Sequence, residues 1–273
     1  MSETEKEYVL GTGDDELARL ALQHRLWADT STQAWKRAGI GPGSKVIDVG
    51  AGPGHASYDL AQLVTGSGLV SAVDESTHFI DYVNGQAKTR GLPQLKAVKE
   101  DVQELKLGDK YDAAYCRWVL CWLADPARAL QNIRKALKPG GKLVIHDYFN
   151  WKAMAAAPRS LAIEKMVQAA IASFVDRNGD VDIVARLLGL LRANGFEVVH
   201  FDIHQRTPRG GGVDSMMAWP LTWWRTYGPK LVGLGKLSAY DYSEVEKDLD
   251  RLERDPDTFF FCPPLFEIVA VSK

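Results

Sequence analysis

The stretch Val46-Ile47-Asp48-Val49-Gly50-Ala51-Gly52-Pro53-Gly54 constrains this chain more than any other. A β-branched run carrying one acid breaks into glycines at alternate positions, which reads as a buried strand entering a turn. Glycine suits such a turn because it accepts left-handed backbone and lets another group approach closer than a Cβ would permit. A ligand-free strand-to-helix turn and a nucleotide-binding turn both meet that description, so the rest of the sequence has to separate them.

The flanking segments alternate. His55 to Val64 predicts a helix, Leu69 to Asp74 a second strand, and Ser76 caps a helix whose apolar side is Phe79, Ile80, Val83 and Ala87. Leu95 to Val98, Tyr111 to Cys116 and Lys142 to His146 read as further strands, and Asp125-Pro126 opens the helix between the last two. Strand–helix alternation from 40 to 146 implies a parallel sheet covered on both faces. Glu197 to His204 and Leu265 to Ser272 add two strands that pair antiparallel at its edge. The expected fold is therefore α/β: a Rossmann-like seven-stranded sheet, mostly parallel with an antiparallel terminal strand, helices on both faces, and a helical insertion or lid. Asp14 to Trp27 and a stretch through Trp35 and Ala38 are expected as two helices, and Trp151 to Phe174 as one alanine-rich helix. The organisation follows as an amino-terminal helical cap (1–39), a core (40–150), completing helices and a strand (151–204), an aromatic-rich insertion (205–262) and a terminal strand (263–273).

Ligands of an open parallel sheet sit beyond the carboxyl ends of its strands, where the strand order reverses. Asp74 ends the second strand, and its two carboxylate oxygens suit the two hydroxyls of a ribose; Glu75 stands beside it. Asp101, just after the third strand, can accept from the exocyclic amine of adenine, while the Val102 backbone offers a donor to a ring nitrogen. A dinucleotide site also wants glycines and a later acid, but its fingerprint leaves a two-residue gap before the third glycine, which is absent here. Asp48 is moreover a poor neighbour for a pyrophosphate and a good one for a cation.

Taken with Glu100-Asp101-Val102, Tyr111-Asp112-Ala113 and Leu137-Lys138-Pro139-Gly140-Gly141-Lys142-Leu143, the turn resembles that of a class I S-adenosylmethionine-dependent methyltransferase of the small-molecule type. The resemblance spans residues 46 to 147. It implies S-adenosylmethionine as cofactor and S-adenosylhomocysteine as product, with Asp48, Gly50 and Gly52 at the methionyl part, Asp74 at the ribose, Asp101 and Val102 at the adenine, and Glu75 among the cofactor-binding residues. Cys116 and Arg117 are implied beside the methionyl group. The opening Tyr8-Val9-Leu10-Gly11 with Glu16, Arg19, Leu20 and Gln23 is similar to a segment that closes over the cofactor in some small-molecule members, which raises Tyr8, Arg19 and Gln23 above solvent-exposed helix residues.

Methyl transfer is an in-line displacement, so the protein has to align donor and acceptor and remove a proton where one must leave. His146, with Tyr148 nearby, is the candidate base, although a strand-end histidine is as often structural. Asp147 and Asn150 lack a partner acid to complete an oxygen cage, so no metal is expected. The segment Cys116-Arg117-Trp118-Val119-Leu120-Cys121-Trp122 departs from the Asn/Asp-Pro-Pro-aromatic motif of nucleic-acid and protein methylation, and a net charge of -2 gives no field that would hold nucleic acid. A small-molecule acceptor remains, methylated on oxygen in first place, then nitrogen or carbon. Trp118, Trp122, Trp219, Trp223 and Trp224 are its candidate walls, the last three inside an insertion that reads equally as a lid or as an appendage with its own core. Two other classes stay open: an NAD(P)-dependent reductase on a similar sheet, and a non-catalytic S-adenosylmethionine-binding regulatory protein. Three scattered cysteines, a polar acidic start and no apolar run of bilayer length lead to the expectation of a cytoplasmic monomer or homodimer without membrane contact.

Overall fold

The computed structural model describes residues 13–107, 110–212 and 214–273. Tyr8 therefore lies outside the described residues. The elements in chain order are α1 (Asp14–Arg37), β1 (Lys45–Val49), α2 (His55–Val64), β2 (Leu69–Asp74), α3 (Thr77–Thr89), β3 (Leu95–Lys99), β4 (Tyr111–Arg117), α4 (Pro126–Ala136) and β5 (Leu137–Tyr148). They continue as β6 (Ala155–Ala157), α5 (Leu161–Val175), α6 (Val184–Ala193), β7 (Phe196–His204), α7 (Ala218–Gly233), α8 (Ala239–Arg254), β8 (Phe259–Phe261) and β9 (Leu265–Ser272).

Seven strands form one sheet in the order β3-β2-β1-β4-β5-β9-β7. The β1, β2, β3, β4 and β5 pairings are parallel, and β9 runs antiparallel between β5 and β7. Strand order reverses between β1 and β4, which fixes where a ligand crevice opens. Both faces are covered, and the strands bury alternate side chains on each. Val46, Val70, Ala72, Tyr115, Val144 and Val269 pack under α1, α2 and α3; Ile47, Val49, Val73, Ala114, Leu143, Ile145 and Ile268 pack under α4, α5 and α6.

Two local expectations are overturned. The residues from 14 to 37 form one helix rather than two, although Asp29-Thr30-Ser31-Thr32 are weak helix formers. Ser31 is fully buried and returns its hydroxyl to the Trp27 carbonyl at 3.1 Å, and its oxygen also meets the Tyr115 hydroxyl and an Arg117 nitrogen, each at 2.9 Å, so tertiary partners satisfy the polar segment inside the helix. The single helix from Trp151 to Phe174 is likewise replaced: a short turn precedes β6, and α5 starts only at Leu161, where Ser160 caps it. Pro158 forbids helix through this point, and Ala155 to Ala157 instead pair antiparallel with Phe259 to Phe261. The residues of α7 and α8 share the core of the sheet's α4–α6 face rather than building a separate one, with Trp224, Tyr227, Val245 and Leu249 fully buried in it. No described helix is long and apolar enough to cross a membrane.

Candidate active site

A cleft of about 660 Å³ opens beyond the carboxyl ends of β1, β2, β3 and β4. At its floor the chain leaves β1 through Gly50, Gly52 and Gly54, all left-handed with φ of 62°, 53° and 79°. These glycines differ in what surrounds them. A Cβ on Gly50 would lie 2.4 Å from a Val119 methyl and one on Gly54 2.7 Å from a Val83 methyl, whereas one on Gly52 would meet nothing within 4 Å. Gly50 and Gly54 are thus required by packing, and Gly52 leaves open space beside the turn.

Asp48 is 3% exposed and lines this cleft. Ser57, in the first turn of α2, donates to its Oδ2 at 2.5 Å. Burial pushes its carboxyl up to about 6, opposed by the Ser57 hydrogen bond and the Arg117 charge. A carboxylate this buried, with no direct ion pair among the described residues, is costly until a cation arrives. Asp74 ties the turn to β2: its Oδ2 accepts from the Gly52 N–H at 2.8 Å and its Oδ1 from the Ser76 N–H at 2.9 Å. Burial raises its carboxyl against those backbone hydrogen bonds. A carboxylate offers about four lone-pair sites, so acceptor capacity remains toward the cleft. The exposed Glu75 stands beside it, and Asp101 caps the turn at Val102 by accepting from the Gln103 N–H at 2.8 Å.

The helix α1 closes one side. Arg19 is 5% exposed, held by both Glu16 oxygens at 2.7 and 2.6 Å, and donates to Gln23 Oε1 at 2.6 Å. His24 lies one turn further on, 2.9 Å from Asp59 Oδ2 through Nε2 and 3.0 Å from an Arg117 nitrogen through Nδ1. A guanidinium only donates, so Nδ1 is the acceptor and Nε2–H donates to Asp59. Burial, helped by Arg117, lowers the His24 imidazole below its ordinary range, and burial together with His24 brings His55 down to about 4. Both rings are neutral near pH 7.

The other end is aromatic. Trp118 has φ of 57°, a left-handed conformation that costs a bulky residue about 1–3 kcal/mol. It stacks between Tyr148, at 5.9 Å and 17°, and Trp219, at 6.3 Å and 20°, with the Arg117 guanidinium 4.8 Å above it. Trp122 stacks on Phe174 at 3.9 Å, and Trp151 and Trp223 complete the wall.

Of the residues expected from sequence, Arg19, Gln23, Asp48, Gly50, Gly52, Asp74, Glu75, Asp101, Val102, Arg117, Trp118, Trp122, Tyr148 and Trp223 come together on this one cleft. Four do not. Cys116 is fully buried with its thiol in the core of the opposite sheet face from Tyr115 and Asp48, so it brings no side chain to the cleft. Trp219 and Trp224, at 5% and 0% exposure, belong to the core behind the wall, because α7 turns Trp223 alone of the three toward the cleft. His146 is fully buried on the α1 side, 3.2 Å from the Tyr115 hydroxyl and 3.4 Å from Glu267, and is absent from the cleft lining. His146 follows Val144 on the face that α1 covers, where Tyr115 and Glu267 enclose it, and its ring does not border the cleft. Burial also pushes the Tyr148 hydroxyl far above its ordinary range, which keeps it protonated. Sequence reasoning did not single out His24, His55, Ser57, Tyr115, Trp151 or Phe174. The position of His55 immediately after the glycine turn was the one available signal.

A sheet of this order, with one antiparallel strand and a crevice at its switch point, defines the Rossmann-like class I methyltransferase fold. A family model described as a methyltransferase domain matches residues 47–145. It is 31% identical over 159 residues to an uncharacterized 37.1 kDa protein of transposon TN4556 from Streptomyces fradiae, covering 58% of this chain and 44% of that protein. It is 32% identical over 128 residues to 2-phytyl-1,4-naphtoquinone methyltransferase of Nostoc sp., covering 46% of this chain and 55% of that enzyme. The chain thus spans about half the length of the curated relatives it matches. Among solved structures, coclaurine N-methyltransferase bound to N-methylheliamine and S-adenosylhomocysteine superposes with a TM-score of 0.58 over 90% of this chain and 72% of that one, at 13% identity.

Proposed function

We propose that this protein transfers a methyl group from S-adenosylmethionine to a small-molecule acceptor. The observation that carries the reading is the pairing, in one cleft, of a buried anion at a glycine turn with an aromatic wall. S-adenosylmethionine supplies a methyl carbon already activated by its sulfonium, and its loss to an acceptor lone pair leaves the C–S electrons on sulfur. The residues fit such a ligand. Asp48 is a desolvated carboxylate that a cationic methionyl end would stabilise, and the space beside Gly52 admits close approach to the backbone. Asp74 and Glu75 would take the ribose hydroxyls, and Asp101 with the Val102 N–H the adenine edge. Arg19, Gln23 and Arg117 would enclose the methionyl end, the α1 segment acting as a cap.

Trp118, Trp122, Tyr148, Trp151, Phe174 and Trp223 would hold the acceptor, and α7 with α8 serves as the lid that positions Trp223. Stacking on rings favours a flat acceptor, with oxygen the first candidate atom and nitrogen or carbon next. Both ring nitrogens of His24 are engaged, by Arg117 and Asp59, so a weakly acidic acceptor proton leaves to solvent without a dedicated base. Incubation with methyl-labelled S-adenosylmethionine and a panel of phenols, amines and carbon acids tests the proposal. Label should appear in at least one acceptor and in none when Trp118 is replaced by alanine. Binding of the cofactor with no transfer to any member of the panel would favour the non-catalytic regulatory reading instead.

A further inference from the structure

Behind the cleft wall, on the far side of Tyr115, three neighbouring strands bring ligand-type side chains to one point. Register places His146 on β5 opposite Glu267 on β9, and Glu267 opposite Asp202 on β7. His200 and His204 flank Asp202 by two residues each and so share its face. The His204 Nε2 lies 2.9 Å and the His146 Nε2 3.4 Å from Glu267 Oε2, and the donor atoms of all three lie within 4.8 Å of one another. The His200 Nε2 is 3.4 Å from Oε1 and is buried without a hydrogen bond. Nothing in the proposed methyl transfer uses this cluster.

We propose that His146, His204 and Glu267 form a zinc-class divalent metal site on the α1 face of the sheet. Zinc bonds of about 2.0–2.2 Å at tetrahedral angles set ligand atoms roughly 3.3 Å apart. Both imidazole nitrogens already stand near that spacing from Glu267 Oε2, and the two lie within 4.8 Å of each other on paired strands, so a modest approach of the rings completes the set. Two imidazoles and one carboxylate suit zinc, cobalt or nickel, whereas magnesium and calcium prefer all-oxygen sets. The outer groups are arranged accordingly. Tyr115 Oη, 3.2 Å from His146 Nδ1, can accept the ring proton there and leave the Nε2 lone pair for metal. Arg37 binds Glu267 Oε1, which leaves Oε2 for the ion. His200 is the nearest further nitrogen and stands ready for the fourth position. The Arg37 charge lowers the affinity below that of a site built of anions, and the partly exposed His200 and His204 give the ion its way in. A bound ion would tie β5, β7 and β9 together beneath the end of α1.

The test is a CoCl₂ titration of the chelator-treated protein followed by visible absorption, with ZnCl₂ added at the end. The expected result is one cobalt per chain with d–d bands, no thiolate charge-transfer band, and displacement by zinc. Glu267→Gln and His204→Ala should each weaken binding by more than the roughly 10–100-fold that an outer-shell change costs. Far-UV spectra check that both variants fold, and His204→Gln replaces either one that does not. Absence of a saturable band overturns the site, and so do bands that persist unchanged in the variants or that carry thiolate character from Cys116, Cys121 or Cys262. None of these readouts depends on methyl transfer.

Discussion

Alanine at Gly50 and at Gly52, one at a time, separates folding from ligand binding at the turn. Both positions are left-handed, so either substitution costs about 1–2 kcal/mol in backbone conformation alone. At Gly50 the new methyl would also sit 2.4 and 3.0 Å from the two Val119 methyls, and relieving that contact adds about 1–3 kcal/mol. Gly50→Ala should therefore lose about 2–5 kcal/mol of stability and Gly52→Ala only about 1–2 kcal/mol. The ligand response should run the other way. Urea unfolding with S-adenosylhomocysteine at 100 times its Kd should stabilise the wild type by about 2.7 kcal/mol. The Gly52→Ala methyl occupies the open space beside the turn, so most of that increment should vanish although the protein is folded. Equal destabilisation by the two variants would refute the packing argument. A full ligand increment in Gly52→Ala would refute the placement of the cofactor.

Asp48 gives a pH-dependent outcome. Its carboxyl is raised from 3.8 to about 6 in the folded state, so the native protein binds the extra proton between those values and its stability falls as pH rises through them. Asp48→Asn should accordingly gain up to ~3 kcal/mol over wild type at pH 8, and nothing at pH 4, in unliganded denaturation curves, while losing affinity for S-adenosylmethionine. His146→Ala should leave the pH dependence of the transfer rate unchanged and lower stability by about 1–3 kcal/mol, because Tyr115 and Glu267 each lose a partner; a lost alkaline or acid limb in the rate profile would restore it as a base. Trp223→Ala should raise the acceptor KM roughly 2- to 10-fold with little change in S-adenosylhomocysteine affinity, as read by initial rates and calorimetry. Equal loss of both would place Trp223 with the cofactor.

The cofactor half of the cleft was legible in sequence because it is local. Asp48, the glycines, Asp74 and Asp101 each stand at a strand end, and strand ends follow from β-branched runs and the turn residues that stop them. Facing was not legible. Strands of a doubly covered sheet are apolar on both sides, so nothing in Leu143 to His146 told whether His146 looks at the cleft or at α1. The aromatic wall was half legible for the same reason: the tryptophans of α7 are apolar at every helical position, and only packing selects Trp223 over Trp219 and Trp224. The continuity of α1 was not legible because Ser31 is satisfied by Tyr115 and Arg117 of β4, partners that sequence proximity does not reveal. The His146, His204 and Glu267 cluster was invisible, since it joins residues 58 to 121 positions apart through strand register.

Isothermal titration of the purified chain with S-adenosylhomocysteine and, separately, with NADH tests the central claim most directly. Saturable one-to-one binding of S-adenosylhomocysteine, weakened by Asp74→Ala, with no heat from NADH, is the predicted result. Binding of NADH with none of S-adenosylhomocysteine would contradict the account at its foundation, the glycine turn beside Asp48.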